Sequence, residues 1–135
     1  MNRSAQFYET GQWKLPAYKK VLDLYNQLET STKKARTNIK RGIIFNIENL
    51  LIEMLSTIVF ADEAYDDPKK RSDFIDSALE NLHKVVIYVR ILKDLNAIHP
   101  TGFSALTLLE DNVSAQLTAW KCATAVSIEE DTENK

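Results

Sequence analysis

The sequence predicts an all-α protein, an up-down-up-down antiparallel four-helix bundle. Three observations carry that expectation. Glycine and proline number only three each in 135 residues, which favours long helices joined by short turns. Apolar residues recur at three- and four-residue spacing in four separate stretches. Nowhere is there the sustained alternation with glycine-rich hairpin turns that marks strands. The length suits one domain with a proper core.

Residues 1–14 read as an irregular arm, with Trp13 placed to pin its end to the bundle. The bundle is expected over residues 15–126. Its first helix should open at Pro16, because a first turn has no use for the missing N–H. Tyr18, Val21, Leu22, Tyr25 and Leu28 form its expected stripe, and the polar run Thr30, Ser31, Thr32 ends it. The second helix begins between Lys33 and Thr37 and runs to about Tyr65. Asp66, Asp67 and Pro68 then mark a boundary, with acidic N-cap candidates followed by proline at N1. The third helix extends from Pro68 to about Asn96 on the stripe Ile75, Ala78, Leu79, Leu82, Val85, Val86 and Val89. Pro100 breaks the chain. A fourth helix from about Gly102 to Ala125 carries Leu106, Leu109, Val113, Leu117 and Trp120. Residues 127–135 read as a disordered acidic tail.

The second helix has more oil than one core needs. Ile44, Ile47, Leu51, Met54, Leu55 and Ile58 make one stripe. Phe45, Ile52 and Val59 make a second, about 100° further round, since each residue advances that far. A helix lining a single core shows one apolar stripe. The late part of the third helix repeats the excess with Ile87, Tyr88 and Ile91. These six residues are the expected oligomer interface.

Charge is nearly balanced at −2. Without residues 129–135, which hold four acids and Lys135, 16 basic and 15 acidic residues remain, a balance of +1. Lys33, Lys34, Arg36, Lys40 and Arg41 form one basic cluster, and Lys69, Lys70 and Arg71 another. Cations at a helix N-terminus oppose the macrodipole, so the first cluster suggests a use such as phosphate binding. Any such contact with RNA or DNA would be sequence-nonspecific, because few aromatics stand nearby to stack on bases. Arg90 interrupts an apolar run and borders the outer oily patch. It reads either as a stem covering oil or as a charge held for a phosphate or carboxylate. No run of eighteen residues is free of charge, so no membrane span or membrane partner is expected. The single cysteine, Cys122, excludes an internal disulfide, reads as a packed small residue, and suits the cytoplasm.

Catalytic signatures find little support. Glu80 and His83 have the Glu-x-x-His spacing of di-metal bundles, yet both point away from the core direction given by Leu82, and the matching second motif is absent. His99 follows Arg90 at too long a spacing for the Arg-His pair of bundle-type ribonucleases. No phosphate loop, Cys/His cluster or nucleophile elbow is present. No cofactor or metal is expected, and the chain does not read as an enzyme.

Several segments resemble one known family. Leu15-Pro16-Ala17-Tyr18-Lys19-Lys20-Val21-Leu22-Asp23-Leu24-Tyr25 is similar to the opening helix of Avd, the accessory variability determinant of diversity-generating retroelements. Asn49-Leu50-Leu51-Ile52-Glu53 resembles its second helix, and Val89-Arg90-Ile91-Leu92-Lys93-Asp94-Leu95 its third. The last helix, with Trp120 near its end, is also similar, so the likeness spans about residues 15–125. The resemblance implies a non-catalytic bundle that assembles into a homopentameric barrel. It also implies binding to the element's reverse transcriptase and to its template RNA or cDNA, in support of mutagenic reverse transcription. By position, Arg90 matches a basic residue the family presents from its third helix. Glu48 departs from the family, which often has a basic residue there. The related bundle proteins encoded in ribosomal-RNA intervening sequences share the architecture and offer the alternative of an oligomeric interaction module of unknown partner.

Overall fold

A computed structural model describes residues 15–133, and the expected arm with Trp13 lies outside them. Four long helices and no strand occur among the described residues: α1 (Pro16–Ser31), α2 (Thr37–Glu63), α3 (Pro68–Asp94) and α4 (Pro100–Glu133). The most extensive packing is α2 on α3, followed by α3 on α4 and α1 on α4, with a lighter contact between α1 and α2.

Each boundary has a local cause. Pro16 occupies the first turn of α1. At its other end the Thr32 hydroxyl donates to the Leu28 carbonyl at 2.6 Å, beside the backbone bond from Thr32 N–H at 3.1 Å. The Asp67 side chain caps α3 by accepting from Lys70 N–H at 3.1 Å, with Pro68 just inside. After α3, Asn96 adopts φ 56°. The N–H of Ala97 then reaches the Leu92 carbonyl and that of Asn96 reaches Lys93, a left-handed helix end that asparagine tolerates better than most residues. His99 Nδ1 accepts from Thr101 N–H at 3.3 Å as α4 begins.

Inside α2, residues Lys40–Ile44 form a π turn, with Phe45 N–H reaching back to the Lys40 carbonyl. The wider turn delays the rotation of the helix just before its apolar stripes begin. From there Ile44, Ile47, Leu51, Met54 and Ile58 are buried. They meet Val21, Leu24 and Leu28 of α1, Ile75, Val85 and Leu92 of α3, and Leu106, Val113 and Leu117 of α4 in one core.

Several expectations need correction. The inner stripe of α1 is Ala17, Val21, Leu24 and Leu28; Leu22 is exposed and Tyr18 and Tyr25 only half-buried. Rotating the stripe leaves the tyrosines at the seam, where Tyr25 donates to Glu48 Oε2 at 3.1 Å. On α3, Val86 stands outside, and Asn81 and Leu92 are inside. The helix α4 continues past Ala125 to Glu133, so helix occupies much of the span read as a disordered tail. Neither glycine nor proline follows Gly102, and Thr124 is still buried on the inner side, so nothing stops the helix at Ala125. Cys122 is exposed rather than packed, because the inward stripe passes through Trp120 and Thr124 on either side of it.

Candidate interaction surfaces

The second stripe of α2 faces outward. Phe45 is 55% exposed and Ile52 50%, while Val59 is half-buried. On α3, Ile87 is 46% exposed, Ile91 is half-buried, and Tyr88 leans on the core. Phe60, which the periodicity did not single out, is also half exposed and touches Phe74 with ring centroids 5.8 Å apart. By length and composition alone, α2 is apolar enough to cross a membrane, although Glu48 and Glu53 interrupt the run. Two glutamates in the run therefore do not by themselves exclude a span. Core helices of water-soluble proteins pass the same test, and the inner stripe of α2 is buried in this core. Along its most apolar stretch the large apolar residues left exposed are Phe45, Ile52 and Phe60, while the rest are buried or half-buried.

All five residues of the first basic cluster are exposed at one end of the protein. Lys33 and Lys34 follow the C-terminus of α1, where a cation is favoured, whereas Arg36, Lys40 and Arg41 surround the start of α2, where it is not. The Lys40 ammonium donates to the Lys33 carbonyl at 2.7 Å, which folds the cluster over the connection. Lys33 and Lys34 also line a cavity of about 830 Å³ with His99, Thr101 and Gly102 of the next connection. His99 thus joins the basic end, a placement the sequence did not suggest. Acid stands close by. Glu29 hydrogen-bonds Glu48, and sharing a proton between two carboxyls raises the Glu29 pKa, with burial adding to the shift and Lys40 opposing it. Burial, then the bond to Glu48, raises that of Tyr25. Glu48 is therefore engaged at the α1–α2 seam.

Arg90 lies apart from this cluster, in the groove between α3 and α4. Its Nε donates to Asp94 Oδ1 at 3.2 Å, one turn on. Arg71, from the second basic run, serves the fold. It donates to the carbonyls of Ala61 and Asp62 at 2.9 and 3.2 Å, closing the C-terminus of α2, and its guanidinium lies 5.6 Å from the Trp120 ring centre. Glu80 and His83 are both exposed. Among the described residues, no three His, Cys, Asp or Glu side chains converge as metal ligands would.

Sequence reasoning missed Glu110. It is 5% exposed, and burial, with the Asp111 charge adding to it, pushes its carboxyl up to about 7. The signal was present: Leu106, Glu110, Val113 and Leu117 follow a four-three-four spacing, and the glutamate takes a stripe position. Asn81, also buried, has no hydrogen bond at Nδ2 among the described residues. Compared with known protein families and with curated proteins, the chain matches none.

Proposed function

We propose that this protein is a non-catalytic, self-assembling adaptor of a diversity-generating retroelement. In this reading it binds the element's reverse transcriptase in the cytoplasm and touches template RNA or cDNA through phosphates. The single observation that carries the assembly is the outward stripe of α2, where Phe45 and Ile52 remain half exposed beside an already filled core. Burying about 600 Å² of apolar area per contact contributes some 15 kcal/mol gross at about 25 cal/mol per Å². Association entropy and desolvation offset much of it.

The finer architecture belongs to the same reading. Short connections and the packing order of the helices support an up-down-up-down antiparallel bundle. A homopentameric barrel, the polymerase and the nucleic acid rest on the resemblance to Avd. The exposed basic end supports phosphate contact, with Lys33, Lys34, Arg36, Lys40 and Arg41 as its residues and Arg90 as a separate point.

Co-purification with a reverse transcriptase encoded beside it tests the central reading; a protein that never retains the polymerase overturns it. Affinity for RNA should fall steeply as salt rises. Charge reversal at Lys33, Lys34, Lys40 and Arg41 should weaken RNA binding and leave assembly intact.

Two observations favour the second reading, an intervening-sequence-type oligomeric interaction module of unknown partner. Arg90 spends its guanidinium on Asp94, and Glu29 and Glu48 stand beside the basic end. Salt-independent or absent RNA binding by an intact oligomer selects that reading.

A further inference from the structure

The groove between α3 and α4 measures about 450 Å³, with Leu79, Val86 and Phe103 among its walls and Glu110 and Asp111 among its acids. Glu110 has no hydrogen bond or ion pair among the described residues. Val86 is 42% exposed, an apolar wall facing water. Glu110 is 5% exposed, so its carboxylate keeps little of its hydration, and a cation brought to it through the groove by another molecule forms a strong, charge-assisted bond. Arg90 is the groove's own cation, but its charge is already offset by Asp94.

α2 carries the complementary features. Arg41 is exposed and, among the described residues, has no ion pair or hydrogen bond. Phe45 follows one turn later and Ile52 beyond it, both half exposed. This edge and the groove are different surfaces. Taking Val85 as the inward direction of α3, Leu79, Val86 and Arg90 fall about 100–140° to one side, whereas Tyr88 and Ile91 fall about 60–120° to the other. The first flank is the groove shared with α4. The second is therefore turned toward α2, the other helix packed on α3. On α2, Phe45 and Ile52 lie about 100–120° from Leu51, on the flank of Glu48 that bonds Tyr25 of α1, so their edge faces away from this groove.

We propose that the α3–α4 groove receives, from a second copy of this chain, the edge of α2 bearing Arg41, Phe45 and Ile52, with the Arg41 guanidinium set on the Glu110 carboxylate. This rests on the self-assembly reading and gives it a direction. Each contact uses one α2 edge and one groove, leaving a free edge on one copy and a free groove on the other. Copies then add head to tail, into a ring where the contact's rotation closes and into a filament where it does not. An α2 edge that met its own twin would stop at a two-fold dimer.

Disulfide trapping tests the geometry. In a Cys122→Ser background, one preparation carries Phe45→Cys and another Val86→Cys. Oxidation should link copies in the mixture and leave each preparation alone unlinked. Self-linking of the Phe45→Cys protein, with none in the mixture, overturns the proposal in favour of a two-fold contact. If the native chain scatters light as an oligomer but neither mixture nor single preparation links, the groove is not the seat, although self-assembly survives. A native monomer at micromolar concentration removes the self-assembly reading itself. A double-mutant cycle tests the charge pair. Glu110→Gln and Arg41→Gln should each weaken association at least about tenfold, and the double variant should be little worse than either. Additive losses, or none, overturn the pairing.

Discussion

The outward face of α2 and the inward face of α4 break one rule in opposite directions. On α2, Phe45 and Ile52 stand in water beside a stripe that already fills the core. On α4, Glu110 takes a stripe position otherwise held by Leu106, Val113 and Leu117. The two departures differ in what they cost. An apolar side chain left exposed loses little on folding, because the unfolded chain exposes it as well, and it stays available for association. A buried carboxylate loses its hydration as the chain folds, and the protomer bears that loss alone. The face of α2 should therefore register in assembly, and that of α4 in the stability of the protomer and its dependence on pH.

The sharpest way to break the contrast uses adjacent residues of α2. Leu51→Ala removes a fully buried side chain and should destabilise the protomer by about 2–5 kcal/mol. Ile52→Asp, one residue on, should leave thermal unfolding of the dilute protomer within about 1 kcal/mol of native. It should nonetheless abolish the oligomer seen by light scattering. Unfolding by Ile52→Asp would place that residue in the core and erase the outward stripe.

Glu110 sets the next effect, with a definite sign. Its carboxyl titrates near 4.5 in the unfolded chain and at about 7 in the folded protomer. Below 4.5 both states hold the proton. As pH rises from there, the unfolded chain ionises first, so stability falls, and the loss is complete above about 7. The gap corresponds to about 3 kcal/mol. Glu110→Gln should stabilise the dissociated protomer at neutral to alkaline pH by about 1–3 kcal/mol and flatten this part of its pH profile. Denaturant titrations across that range measure it; an unchanged profile would mean the carboxylate is solvated.

Arg71 links the two regions, since it closes the end of α2 and lies against Trp120 of α4. Arg71→Lys keeps the charge but loses the planar fork, and should cost about 1–2 kcal/mol in thermal unfolding. Asp94→Ala removes an exposed ion pair with Arg90 and should change stability by no more than about 0.5 kcal/mol. The ranking itself is informative: an Asp94 effect larger than that of Arg71 would mean Arg90 is held more tightly than its exposure indicates.

Helix positions were legible because their signals are local. Pro16, Asp67-Pro68 and Pro100 act within one turn of chain, and the stripes of α2 and α3 repeat over many turns. The surplus oil of Phe45, Ile52 and Ile87 was legible for the same reason, as was the outward placing of Glu80 and His83. Rotation of α1 was not: Leu22 and Leu24 are equally apolar, and only the neighbouring helices decide which one is covered.

Local chemistry in the chain thus determined the four long helices of the described residues, roughly where each begins, and that α2 carries two apolar faces. Tertiary packing alone decided that Glu110 lies in a groove, that Arg71 closes α2 while Arg41 has no partner among the described residues, and that His99 joins the basic end. Burial and pairing depend on residues brought together from distant parts of the chain, whereas propensity, capping and periodicity act over a few residues.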